Sequence, residues 1–291
     1  MKDVKGFCKL MDINVPVYEH FDYYIDQYSK LEKWKNIRDL IKLYEEAEET
    51  HEDLYRFRID KSIEIVNFVK ATRAYTEMCD DNLLSDYPTS RNFEYLDGKK
   101  YLSIDIKKAN WISLKNYDPE FLNELGNSYE DLLRKFDMPE IFNYSKQFRQ
   151  FIFGNLNPKK QCRIQRNIIE NEVINVLDKF KLEVACVKND EVIYSLDSLE
   201  YVDEIFKIID KNKFNIKIFI TKRIEDFRIN TNINADGDIL YSEISGCNGN
   251  HYFLNIKKYL LEEPIDIRDL YFRMDGNVAL WKVDNLKIEL I

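Results

Sequence analysis

Two stretches decide how this chain folds: YLSIDIKKANWISLK, residues 101–115, and LEVACVKNDEVIYSL, residues 182–196. The first opens with a short alternating run from Tyr101 to Ile106, the period of a strand with one buried face, and places Asp105 near its end. The second reads as two short strands flanking Asn189 and Asp190, which is the chemistry of a tight hairpin turn. Each puts an acidic residue where an apolar run stops, although a solvated loop is the cheaper place for a charge.

The segments around these stretches give the order of elements. DGKK, residues 97–100, is a turn feeding the first strand. Helical periodicity follows over 120–136 and 158–180, then the hairpin. Val202, Ile205, Phe206 and Ile209 next repeat at helical spacing, with Ser198 as the expected cap, and FNIKIFITKRI alternates again as a strand. Strand, helices, hairpin, helix, strand is the β-α-β-β-α-β plan, so the expected class is α+β with a ferredoxin-like antiparallel sheet. In that plan the first strand and the hairpin are neighbours, which brings Asp105 and Asp190 together.

Ahead of this lies a helical region. Phe21, Tyr24, Ile25, Tyr28 and Leu31, then Ile37, Leu40, Ile41 and Tyr44, recur at three- and four-residue steps. Thr50 and Asp53 have the spacing of a capping box for the next helix, whose stripe is Leu54, Phe57, Ile63, Val66 and Val69. The expected division is a helical region over 1–92, a sheet domain over 93–228 and a β-rich extension over 229–291, including a hairpin turning at Asp275 and Gly276.

Composition narrows the class. The chain has 291 residues, 45% hydrophobic and 33% charged, with 8 Gly and 6 Pro, which argues against a disordered chain. No apolar run is long enough to span a bilayer, and the N-terminal segment lacks the apolar core of a secretory signal, so a cytoplasmic, intracellular protein with no membrane partner is expected. Five scattered cysteines with no CxxC pair suggest neither a disulfide framework nor a zinc site. Cys247 and His251 in CNGNH would share one loop as a ligand pair, but a plain turn is the better reading. The abundance of Ile, Asn, Lys and Tyr resembles the output of AT-rich genomes, viral and phage ones among them.

Two carboxylates held close together repel unless a cation lies between them, and hard ions such as Mg²⁺ or Mn²⁺ prefer oxygen ligands. Taken singly, Asp190 is a turn former and Asp105 a polar strand end. Taken as a pair, they suit two-metal catalysis of an in-line displacement at phosphorus.

The segment EVACVKNDEVIYSL resembles the motif C hairpin of family A DNA polymerases, with Asn189, Asp190 and Glu191 standing where His-Asp-Glu stands in that family. YLSIDIKKANWISL is similar to motif A, in which an Asp ends the first palm strand and the next residue offers a backbone carbonyl to the metal. Asp105 and Ile106 occupy those positions. The same string is similar to the corresponding strand of reverse transcriptases, so the likeness is to the right-hand polymerase palm in general, over roughly residues 100 to 225. It implies Asp105, Asp190 and Glu191 as catalytic residues, Asp105, Asp190 and the Ile106 carbonyl as metal ligands, and Asn110 beneath the sugar of an incoming nucleotide.

Between the two motifs, residues 141–169 carry no acidic side chain but include Lys146, Arg149, Lys159, Lys160, Arg163 and Arg166, a local reversal in a chain of formal charge −9. A triphosphate or a nucleic-acid backbone needs such a patch, and Arg149, Lys159, Lys160 and Arg163 are the expected phosphate contacts. The expected function is therefore a nucleotidyltransferase that uses Mg²⁺ or Mn²⁺, a nucleoside triphosphate and a DNA or RNA primer or template. The alternative is a catalytically inactive palm serving as a nucleic-acid-binding or viral interaction protein. The chain lacks the fingers helix of the usual form and an exonuclease domain, and it is shorter than typical family A enzymes.

Overall fold

The computed structural model describes residues 1–51, 53–81, 93–118, 124–224, 227–245, 258, 263–274, 277–282 and 287–290. In chain order, the N-terminal helices are α1 (Val4–Met11), α2 (Phe21–Ser29), α3 (Ile37–Thr50), α4 (Leu54–Lys70) and α5 (Arg73–Asp80). Strand β1 (Lys100–Ile106) leads into α6 (Ala109–Lys115), α7 (Tyr129–Arg134), α8 (Ile141–Tyr144), α9 (Lys146–Gly154) and α10 (Pro158–Ile169). The rod continues through a π-helical turn (Glu170–Ile174), α11 (Asn175–Leu177) and a 3-10 turn (Asp178–Phe180). Then come β2 (Glu183–Val187), β3 (Glu191–Leu196), α12 (Val202–Ile208), β4 (Phe214–Ile224), β5 (Phe227–Ile233), β6 (Ile239–Ser245), β7 (Tyr271–Met274), β8 (Asn277–Lys282) and β9 (Lys287–Leu290). The protein is thus α+β, with N-terminal helices and an antiparallel six-stranded sheet. No helix among the described residues is long and apolar enough to cross a membrane.

The chain divides into two compact units. The first comprises Met1–Ser62, Leu133–Arg149 and Gly246–Ile291. Its core includes Phe7 edge-on to Tyr44 at 5.5 Å, with Ile37, Leu40 and Ala47 of α3 buried as their spacing requires. Asp269 is buried, and its charge is matched by Lys258 Nζ at 2.7 Å and the Tyr23 hydroxyl at 2.7 Å. Strands β7, β8 and β9 form a small antiparallel sheet here; the turn expected at Asp275 and Gly276 lies outside the described residues.

The start of α4 and its buried face differ from the expectation. Thr50 does not open a helix: α3 runs through it, and its hydroxyl donates to the Glu46 carbonyl. The start signal is Asp53, whose Oδ1 accepts from the Arg56 amide at 2.9 Å immediately ahead of α4. The buried face of α4 is Ser62, Ile65, Val66 and Val69, whereas Ile63 is 53% exposed. Helical phase decides this, because a residue two positions from Ile65 points about 160° away from it.

The second unit, Ile63–Leu132 and Gln150–Ser245, holds the six-stranded sheet in the order β2-β3-β1-β4-β5-β6. β1 lies at its centre and pairs antiparallel with β3 and β4. Leu102, Ile104 and Ile106 of β1, Val192, Tyr194 and Leu196 of β3, and Phe214 and Ile218 of β4 share one face and are buried. Burying such side chains stabilises the fold by about 1.5–3 kcal/mol each. The opposite face changes along its length: Tyr101 and Phe219 pack with Phe93 and Tyr95 at one end, while Asn215 and Lys217 are exposed at the other. The turn before β1 closes as expected, with Gly98 at φ +71, a left-handed conformation that favours glycine. Ser198 does not cap α12: its Oγ lies 3.5 Å from the Glu200 amide in the preceding turn, and Tyr201 occupies the cap position.

Candidate carboxylate site

The polar end of the sheet is built by one hairpin and one strand. The Lys188 amide donates to the Glu191 carbonyl at 2.8 Å, so Asn189 and Asp190 form a two-residue turn between β2 and β3. The Ile106 amide donates to the Asp190 carbonyl at 2.8 Å, which ties that turn to the end of β1. Asp105 is paired with Glu191 on one side and Asn215 on the other. Because the bond runs from Ile106 to Asp190, the Asp105–Glu191 pair is the narrow kind, with Cα atoms about 4.5 Å apart and side chains close.

A row of side chains therefore runs from the hairpin across three strands: Lys188, then Glu191 of β3, Asp105 of β1 and Asn215 of β4. Glu191 receives the Lys188 ammonium at 2.5 Å and the Ser103 hydroxyl at 2.6 Å, one on each oxygen. Ser103 is two residues before Asp105 and so on the same face. The Asp105 carboxyl is pushed up to about 6, first by burial, then by the negative charges of Asp190 and Glu191, while a hydrogen bond from Asn215 and the charge of Lys188 oppose the shift.

Helix α10 lies beside the hairpin tip. Arg166 Nη2 donates to Asn189 Oδ1 at 3.0 Å, and Gln165 Nε2 donates to Asn110 Oδ1 on α6 at 3.4 Å. The helix begins at Asn157, whose side chain accepts from the Lys160 amide, with Pro158 in its first turn. Lys159 and Arg163 point outward, one turn apart, whereas Lys160 lies on the inner face and is 8% exposed. Arg149 belongs to the first compact unit.

The structure thus gathers Asp105, Ile106, Asp190 and Glu191 at one end of the sheet and sets Asn110 beside α10. Ser103, Lys188 and Asn215 were not expected here, and Arg166 was expected only as one charge of the basic segment, not as a neighbour of Asn189. Two of these carried a signal: Ser103 shares the face of Asp105 by alternation, and Lys188 faces Glu191 across any two-residue turn. Among the described residues, no group of three His, Cys, Asp or Glu side chains is gathered closely enough to hold a metal by side chains alone. Cys247 and His251 lie outside the described residues. No protein-family model matches the chain, and no curated protein matches it in sequence.

Proposed function

We propose that the protein is a nucleotidyltransferase built on a polymerase-type palm. The observation that carries this reading is the gathering of Asp105 with Asp190 and Glu191 at one end of the sheet, where burial first, and then the charges of those two neighbours, push the Asp105 carboxyl up to about 6. Stored like-charge repulsion of this kind is relieved by a cation, and a donor set made only of oxygens fits a hard one such as Mg²⁺ or Mn²⁺. The order β2-β3-β1-β4, with helices between β1 and β2 and between β3 and β4, supports a ferredoxin-like plan for this part of the sheet.

In this reading Asp105, Asp190 and the Ile106 carbonyl hold the cation. Bound there, it would acidify a primer hydroxyl and neutralise the leaving pyrophosphate. Lys159 and Arg163 of α10 attract the triphosphate or the nucleic-acid backbone, and Asn110 lies beneath the nucleotide sugar. Glu191 orients the row from its place between Ser103 and Lys188.

One observation favours the second reading, an inactive palm that binds nucleic acid: both Glu191 oxygens are already taken by the protein's own donors. The two separate cleanly. Labelled nucleotide added to a DNA or RNA primer only with Mg²⁺ or Mn²⁺ present supports the enzyme. A mobility shift of nucleic acid that is equal in EDTA, with no incorporation, supports the binding module.

A further inference from the structure

Arg166 is an arginine with unmet bonding capacity beside the carboxylates. Its one described hydrogen bond goes to a neutral amide oxygen, that of Asn189, at 3.0 Å. Its Nε–H is buried and has no partner. Among the described residues it forms no ion pair, although Asp190 is the next residue after the one it touches. A buried donor left unpaired costs about 1–3 kcal/mol, so a guanidinium in this state has free energy to gain from an anion.

The surroundings fix where that anion would lie. Cys162 precedes Arg166 by one turn of α10, and its thiol is raised by burial, then by Asp190, while Arg166 opposes the shift. Both charges therefore bear on the same turn of the helix. On the helix surface Lys159, Arg163 and Arg166 fall at i, i+4 and i+7, a single stripe that ends at the hairpin tip. The neighbouring Gln165, held against Asn110, marks the side on which a nucleotide sugar would lie.

Building on the nucleotidyltransferase reading, we infer that Arg166 is a phosphate-contacting residue, parked on Asn189 until a triphosphate arrives, and that it forms the inner end of the basic stripe on α10. A planar guanidinium can grip two phosphate oxygens at once, which the Asn189 amide cannot reciprocate. On binding, the arginine exchanges a neutral acceptor for a charged one.

The test is calorimetric titration of the full-length protein with a deoxynucleoside triphosphate, in Mg²⁺ and without primer, so that no turnover occurs. Arg166→Met is expected to weaken binding tenfold or more, with Arg166→Lys intermediate because it keeps the charge and loses the fork. Asn189→Ala removes the parking partner without touching the arginine and is expected to bind as tightly as wild type or more tightly. Equal affinity in wild type and Arg166→Met overturns the inference and leaves the functional reading standing. Weaker binding in Asn189→Ala also overturns it, since Arg166 would then act by pinning the hairpin. If Arg166→Met does not fold, the Lys and Asn189 variants decide. A wild type that binds no triphosphate removes the functional reading and this inference with it.

Discussion

Asp105 and Glu191 face each other across β1 and β3 in the narrow antiparallel register, two carboxylates in a place where sheets ordinarily pair opposite charges or apolar groups. Asp190 adds a third at the adjoining turn. What keeps this arrangement from unfolding the sheet end is local: Lys188 and Ser103 satisfy Glu191, and Asn215 supports Asp105.

The first expected outcome concerns pH. An acid whose folded pKa is raised from 3.8 to about 6 holds its proton in the folded state after the unfolded chain has released it. Its stabilising contribution is therefore complete below the unfolded value and is lost as pH rises through about 6. The loss is on the order of 2 kcal/mol for a partly exposed group. Without divalent cations, Asp105→Asn should raise the denaturant midpoint at pH 8 and have little effect at pH 4. An equal effect at both pH values would show that neither burial nor the neighbouring charges raise the Asp105 carboxyl.

Lys188 should act on Asp105 through charge. Lys188→Met removes the cation that opposes the upward shift, so the Asp105 pKa should move further up. Because the Lys188–Glu191 pair is partly exposed, the stability change should stay within about 1 kcal/mol. Carboxyl NMR titration of the variant checks the direction, and a downward movement would contradict the row.

Asn110 should govern sugar choice. Its side chain is short and accepts a hydrogen bond from Gln165; on the proposed reading a residue of this size would leave room for a 2′-hydroxyl. Asn110→Phe is expected to suppress ribonucleotide incorporation while sparing deoxynucleotides, read as the ratio of incorporation efficiencies. Each ~1.4 kcal/mol of differential transition-state binding is a tenfold ratio. A ratio unchanged by the substitution would remove Asn110 from beneath the sugar.

Packing gives a matched pair of controls. Ile104 is fully buried on β1, and Ile63 is more than half exposed on α4. Ile104→Ala should cost about 2–5 kcal/mol in denaturant unfolding, and Ile63→Ala less than about 0.5. Comparable costs would contradict the assigned faces.

The strands and the hairpin at Asn189 and Asp190 were legible because alternation and turn chemistry are local properties of the chain. So was the pairing of β1 with β3, since few arrangements of that element order bury both apolar faces. Asn215 was not legible, because its place beside Asp105 depends on the register of β4, and nothing local in FNIKIFITKRI sets that register. Arg166 was visible as a charge but not as a neighbour of Asn189, which requires the packing of α10 on the hairpin. The grouping of residues 133–149 with 1–62 was hidden for the same reason: helical periodicity shows that a face is buried and does not name what buries it. Thr50 misled because threonine before an acidic residue three positions on is a cap signal that the longer helix α3 overrode.

On the proposed reading, Asp105 and Asp190 together hold a divalent cation. Titration of Mn²⁺ into the full-length protein, followed by electron paramagnetic resonance, tests it without requiring turnover. The expected result is a bound fraction in wild type that falls as pH drops through about 6, and at least tenfold weaker binding in both Asp105→Asn and Asp190→Asn. Mn²⁺ binding that is independent of pH across that range, or that survives both substitutions unchanged, would contradict it.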